Sequence, residues 1–428
     1  MIKLAENKAY TEHKPIERMP LSSKVYIPLS QHLGKPCNST VKVGDAVKTG
    51  SVIATLEAGV FSPIHSSVSG KVAAIQDWPH PVLGRAKAIV IESDGKDESA
   101  PYAVSGKPHE AISGLSADEI RKIVFNAGVV GMGGASFPTY IKLNPPKTVD
   151  TFVVNGAECE PYLTCDYRLM VEKAKEILLG VDLVVRCLEV KDIYIAIEDN
   201  KSEAIKLFKD AIRNTTYAIR ILKSMYPQGG EKQLIKNVLG KEVPSGKLPF
   251  DIGVVVHNVG TIFAIFEAVY LNKPLTERVV TVTGGCIENP RNLLVRIGTP
   301  IKELMNFCGP LKEDPAKIII GGPMMGIAQY TDEVPVIKST TGVLLLNQKE
   351  AAVYEEEFCI RCGACVRECP VGLMPCLINL ASDKENWALS KNYGVLDCIE
   401  CGVCSYVCPA NRRLVQSIKR AKMEATKK

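Results

Sequence analysis

Eight of the chain's 15 cysteines fall in two short stretches, "CIRCGACVRECP" and "CIECGVCSYVCP", whose first cysteines, Cys359 and Cys398, lie 39 residues apart. Both follow the spacing C-x2-C-x2-C-x3-C, and a proline closes each. Zinc sites usually take two close pairs. Three thiolates spaced by two residues on one tight loop instead wrap three irons of a cubane, and the fourth cysteine opens a helix leading to a neighbouring cluster. The spacing therefore predicts two [4Fe–4S] clusters with crossed ligands. One is Cys359, Cys362 and Cys365 with Cys408; the other is Cys398, Cys401 and Cys404 with Cys369. "VGLMPCLINLASDKENWALSKNYGVLD", between them, reads as helix, turn and helix joining the two halves. An α-helical two-cluster unit over residues 351–428 follows.

That unit accounts for a small part of 428 residues, which is too long for one core and suggests about three domains from length alone. Hydrophobic residues make up 46% and charged residues 23%, ordinary for a water-soluble globular chain. No apolar run reaches the roughly 20 residues that span a bilayer. The charged start "MIKLAENKAYTEHKPIERMP" lacks the apolar stretch of a signal peptide. The expected location is the cytoplasm, or the cytoplasmic face of a membrane as a peripheral protein. The net charge of +5 is mild and partly sits in the tail "RRLVQSIKRAKMEATKK", which reads as a solvated amphipathic helix. No nucleic-acid partner is expected. Many cysteines in an unsecreted chain argue against structural disulfides, so Cys37, Cys159, Cys165, Cys187, Cys286, Cys308 and Cys376 read mostly as small buried hydrophobes.

Upstream, "VFNAGVVGMGGASFPTYIKL" runs with helical spacing to Val130 and then opens into Gly131, Gly133 and Gly134. Successive amides in a glycine loop form an anion-binding nest. Phe137 is placed to cover a ring and Lys142 to neutralise a phosphate. A plain tight turn reads equally well here, and the dinucleotide fingerprint is not met, because Ser136 stands where its last glycine belongs. "TVDTFVVNGAECEPYLTCD" is a strand running straight into Asn155, Glu158 and Glu160. Polar groups at the carboxyl end of a strand are where open α/β sheets bind ligands. Two carboxylates suit ribityl or ribose hydroxyls; the alternative for them is a solvated loop. "YPQGGEKQLIKNVLG" puts Glu231 at a helix start. "DIGVVVHNVGTIFAIFEAVY" is a strand ending in His257 and Asn258, and His257 reads as a packed residue rather than a catalyst.

Taken together, "GMGGASFPTYIKL", "NGAECEPYLTCDYRLM", "YPQGGEKQLIKNVLGKEVPSGKLP" and "CIECGVCSYVCPA" resemble the C subunit of the Rnf complex, an ion-pumping ferredoxin–NAD oxidoreductase. The same core is similar to the NADH-oxidising 51-kilodalton flavoprotein subunit of complex I. The resemblance covers nearly the whole chain. It implies an FMN held near Gly131, Gly133, Gly134, Lys142, Asn155, Glu158 and Asn258. It implies NAD(H) over that flavin, with Phe137 close by and Glu160 and Glu231 as the catalytic carboxylates. Two features depart from the pattern. Gly260 stands where the complex I sequence has a glutamate, and the Gly-Gly-His-Pro start of Rnf chains is missing before "KPIERMP".

The resemblance extends to the flanks. "VKVGDAVKTGSVIATLEAGVFSPIHSSVSGKVAAI" resembles the lipoyl and biotinyl carrier fold, but Glu57-Ala58-Gly59-Val60 offers no lysine for modification, so residues 1–105 read as a structural barrel-sandwich. Residues 106–275 read as the α/β FMN- and NADH-binding domain. "ERVVTVTGGCIENPRNLLVRIGTPIKELMNFCG" resembles the small β-grasp domain that follows it, over residues 276–350. The fold expected is a multidomain α/β chain: lipoyl-like β-sandwich, α/β flavin domain, β-grasp domain and helical ferredoxin-like domain.

Nicotinamide moves electrons in pairs and clusters move them singly, so a flavin between them is required. The expected function is electron exchange among NAD(H), FMN and two [4Fe–4S] clusters in a membrane-associated complex. Its partners are the other subunits, with ferredoxin reached directly or through one of them. The alternatives are a related chain serving a soluble reductase, for example a methylenetetrahydrofolate or acyl-CoA reductase, and a flavin-less wiring subunit.

Overall fold

A computed structural model describes residues 1–100, 112–352 and 354–427. The boundary expected at 105/106 lies outside these residues. The first unit is a β-sandwich. Its larger sheet orders Lys24–Pro28, Gly84–Ser93, Gly70–His80 and Ala46–Val47, and a smaller one holds Asn38–Ser39, Val52–Thr55 and Ile64–His65. Alternating inward residues, among them Val25, Ile27, Ile53, Ile64, Val72, Ile89 and Ile91, form its core. The Glu57 to Val60 turn is exposed.

A four-stranded parallel sheet follows, in the order Ala218–Leu222, Asp192–Glu198, Thr151–Gly156, Val254–Asn258. Residues 151–154 are buried throughout, as expected of a strand covered on both faces. One face packs on the helices Ala117–Asn126, Ala174–Leu188 and Val259–Tyr270 through Phe152, Val154 and Val255; the other packs on Glu231–Leu239 through Val153 and Val256. Ser116 and Glu119 close a capping box at the start of the first of these helices. The chain winds from the Thr151 strand outward to Ala218, then returns to add Val254–Asn258 on the opposite side of Thr151–Gly156. The gap between those last two strands is the topological switch point, where open α/β sheets hold ligands.

The third unit is a six-stranded mixed sheet with the helix Ile301–Phe307. Its edge strand, Ile16–Arg18, comes from near the chain start and pairs in parallel with Arg291–Arg296. In the last unit the helix Leu414–Thr426 buries Leu414, Ile418, Ala421 and Ala425 in a core shared with the Pro375–Asp383 helix, so the tail is an amphipathic helix, as expected, with one face packed and the other exposed.

Candidate flavin and cluster sites

The sheet register sets Asn155 directly opposite Asn258 at the carboxyl ends of the two switch-point strands. Asn258 accepts the Gly260 amide at 2.8 Å, capping the helix Val259–Tyr270, and its Nδ2 donates to Asp166 Oδ2 at 2.6 Å. Asn155 donates to the Gly229 carbonyl at 3.0 Å and accepts the Ala157 amide at 3.1 Å. The glycine loop folds over the same end of the sheet. The Gly131 amide donates to the Phe137 carbonyl and the Met132 amide to Thr261 Oγ1, both at 2.8 Å. Gly133 has φ 77°. A β-carbon there would stand 3.0 Å from Asn258 Nδ2, whereas one on Gly134 would meet nothing. The loop's exposed face, residues 133–135, is left open above the switch point. Phe137 is half-buried.

Lys142 ends the short helix Thr139–Lys142, and its Nζ donates to Glu231 Oε1 and to the Val256 carbonyl, each at 2.7 Å. Glu231 opens the helix Glu231–Leu239, where a carboxylate is favoured by the dipole. The expected phosphate ligand is thus already in contact with the expected nicotinamide carboxylate. His257 is buried edge-on against Phe152, with ring centroids 6.0 Å apart, as the packed reading requires.

The two carboxylates of the strand-end loop part company. Glu158 is buried and turns toward the helix Cys165–Glu172, accepting the Asp166 amide at 3.0 Å and the Tyr167 amide at 3.2 Å. Glu160 reaches the β-grasp unit, where it accepts the Met324 and Met325 amides at 3.1 and 2.7 Å. Burial raises the Glu160 carboxyl, and these two amides and nearby Lys8 work against that shift. Three residues at this end of the sheet carry no signal in the sequence. Lys8 donates to the carbonyls of Glu158, Glu160 and Leu163 and so pins the loop. Asp166 bridges Asn258 and Glu158, and burial, then the Glu158 charge, push its carboxyl up. Thr261 holds the glycine loop. A β-carbon at Gly260 would stand 3.7 Å from Asp166 Oδ1, so a carboxylate occupies this corner although residue 260 supplies none.

The cysteines gather in two places. Cys369, Cys398, Cys401 and Cys404 line one cavity whose other walls include Val371, Leu373, Val415 and Ile418. The Leu373 amide points at Cys369 Sγ over 3.3 Å and the Glu400 amide at Cys398 Sγ over 3.4 Å. Four sulfurs in an apolar cavity, two of them met by amides, suit a cubane. The other place holds Cys365, which is buried beside Cys376 and Cys408, while Cys359 and Cys362 are exposed. Cys376, expected to be a core residue, therefore touches the first set. Cys369 thus lines the cavity of the second triplet, and Cys408 stands beside Cys365 of the first.

The family model described as "Nuo51 FMN-binding domain" matches residues 124–267, the RnfC barrel sandwich hybrid domain residues 2–96, the SLBB domain residues 279–328, and the 4Fe-4S dicluster domain residues 351–418. The C subunit of the proton-translocating ferredoxin:NAD(+) oxidoreductase complex of Clostridium ljungdahlii is 48% identical over 98% of this chain and 92% of its own. The Na(+)-translocating counterpart of Acetobacterium woodii is 45% identical over 94% and 90%. The C subunit of the ion-translocating oxidoreductase complex of Rhodobacter capsulatus is 41% identical over 97% and 80%. A chain of an NAD+-reducing [NiFe]-hydrogenase in its H2-reduced state shares the fold, with a TM-score of 0.52 at 16% identity over 76% of this chain and 66% of that one. By its four matched domains and its end-to-end likeness to these relatives, the chain belongs to the family of C subunits of Rnf-type ion-translocating oxidoreductase complexes.

Proposed function

We propose that this chain exchanges electrons among NAD(H), a non-covalently held FMN and two [4Fe–4S] clusters, as the C subunit of an Rnf-type ferredoxin:NAD(+) oxidoreductase complex. FMN, when bound, supplies the conversion between hydride transfer and single electrons. The chain's own residues prepare for it. Asn155, Asn258 and the glycine loop shape the switch-point pocket, and Asp166, set by Glu158, fixes the Asn258 amide. Lys142 presents the ammonium for the phosphate. Glu160 and Glu231 are assigned to the nicotinamide side, with Phe137 against the ring.

The observation that carries this reading is the continuity between the two sites. The loop of residues 226–230 gives its Gly229 carbonyl to Asn155 and its Tyr226 hydroxyl to the Cys401 carbonyl. The second cysteine set then lies against the flavin domain, Cys359 and Cys362 of the first are exposed, and we assign the first set to the side of the partner subunits and ferredoxin. Among the described residues no helix is long and apolar enough to cross a membrane. We assign ion movement to other subunits and this chain to a peripheral place on the cytoplasmic face.

The test is anaerobic reconstitution with iron, sulfide and FMN, followed by addition of NADH. Bleaching of the flavin and appearance of reduced-cluster electron paramagnetic resonance are expected. A preparation with no releasable flavin, or one whose flavin and clusters ignore NADH, overturns the reading. Copurification with a soluble reductase instead of membrane subunits would redirect its assembly.

A further inference from the structure

Tyr226 is 1% exposed, and its hydroxyl donates to the Cys401 carbonyl across 2.7 Å, 175 residues away. The same hydroxyl lies beside the Glu160 carboxylate. Its backbone is clamped as well, since the Ile2 amide donates to the Tyr226 carbonyl at 3.0 Å and the Tyr226 amide to the Ile2 carbonyl at 2.8 Å. On the other side of the same turn Met324 closes in: a β-carbon on Gly402, at φ 78°, would meet the Met324 carbonyl at 2.9 Å. Met324 is itself held by Glu160. Tyr226, Cys401 and Val403 form one small buried cluster with Cys159 and Met324 packed against it. The Cys401 turn is thus gripped between the flavin domain and the β-grasp domain, with Glu160 bonded to the Met324 side and lying beside the Tyr226 hydroxyl.

We propose that Tyr226 is a positioning residue that sets the second cysteine turn, and the centre it binds, against the flavin domain. A cluster's potential follows the hydrogen bonding and solvent exposure around it, and residues outside the ligand set tune metal centres through the ligands they orient. Loss of the hydroxyl frees the Cys401 carbonyl and loosens one jaw of the grip. Among the described residues the first cysteine set has no such contact with Tyr226, so its centre stays as it was.

The inference rests on the reading that both cysteine sets hold clusters, so the unaltered reconstituted chain is measured first. Absence of two cluster signals there defeats that reading itself. With both signals present, Tyr226→Phe is compared by iron content, flavin content and a redox titration followed by electron paramagnetic resonance. The expected result is a shifted midpoint potential and altered line shape for the centre that Cys398→Ala abolishes, with the centre that Cys359→Ala abolishes unchanged. No change in either centre, or a change confined to the first, overturns the proposal. Hydrogen–deuterium exchange gives a second measurement that does not depend on the tyrosine variant folding. Coupling is reciprocal, so loss of the second centre in Cys398→Ala should speed exchange in residues 225–230 more than Cys359→Ala does. Equal protection of that segment in the two cysteine variants overturns the proposal as well.

Discussion

Lys142 and Glu231 form an ion pair across 2.7 Å, and the same lysine nitrogen donates to the Val256 carbonyl on a switch-point strand. The pair puts a cation and an anion side by side at the pocket proposed for the flavin. Lys142→Ala should release FMN on desalting while both clusters stay. A charge-assisted contact is worth about 1.5–3 kcal/mol, so FMN affinity should fall by roughly one to two powers of ten. Glu231→Gln removes the competitor for the ammonium and should keep FMN at least as well. Unchanged flavin occupancy in Lys142→Ala removes that residue from the phosphate.

The parts of this site visible in the sequence are those set by local order. The cysteine spacing encodes a loop and a helix start within one short stretch. The step from apolar strand to asparagine at Asn155 and Asn258 marks a strand end, and a parallel sheet then brings two such ends together. What stays hidden depends on long-range geometry. Lys8 meets three carbonyls at sequence separations of 150, 152 and 155, and nothing near it in sequence signals a burial of that kind. Asp166 looks like any first-turn helix acid until Asn258 is seen to face it. Glu158 and Glu160 look equivalent in the sequence; one turns inward to cap a helix and the other crosses to a neighbouring unit. Ile16–Arg18 completes a sheet whose other strands begin at residue 277, so no local pattern assigns it there.

Glu277 fastens that edge. Its carboxylate, 2% exposed, meets Arg18 at 2.9 Å, Lys273 at 2.6 Å and Arg296 at 3.5 Å. Burial alone would raise its pKa, but these cations outweigh burial and hold it at about 2 against an ordinary 4.5. A lowered folded value means the contribution is whole above the ordinary value and fades as pH falls through the folded one. The difference corresponds to about 3 kcal/mol at neutral pH and about half of that near pH 3. Glu277→Gln should therefore lower unfolding stability most at neutral pH, and the gap from the unaltered chain should narrow in acid. Urea unfolding across that range checks it; a gap that is constant or widens in acid contradicts it.

Glu160→Gln exchanges one acceptor oxygen for an amide that must face a backbone N–H. A buried donor left unmet costs about 1–3 kcal/mol, and the part-buried Met324 amide stands at the lower end of that range. The turn of Met324 and Met325 should loosen, and NADH reactivity should fall more than flavin content, because Asn155, Asn258 and Lys142 are untouched. Stopped-flow bleaching of the flavin by NADH, beside a flavin assay, separates the two. Bleaching at the parent rate removes Glu160 from the nicotinamide side.

The crossing of the cysteine sets gives the sharpest test of the cluster unit. Three cysteines at x2 spacing curl around one face of a cubane, and the x3 cysteine steps into a path that leads across to the neighbouring centre. The structure puts Cys369 in the cavity with Cys398, Cys401 and Cys404, and Cys408 beside Cys365. Cys408→Ala should therefore damage the centre built on Cys359, Cys362 and Cys365 and spare the other; Cys369→Ala should do the reverse. Cys376 complicates the first case, because it also touches Cys365 and offers a replacement thiol. Cys408→Ala is accordingly made in a Cys376→Ala background as well. The remaining cluster in each variant is identified by its electron paramagnetic resonance against Cys359→Ala and Cys398→Ala. If Cys408→Ala matches Cys398→Ala, each stretch closes its own cluster and the crossed assignment fails. If it matches Cys359→Ala only when Cys376 is also removed, Cys376 has stepped in as the fourth ligand, and the crossed assignment stands.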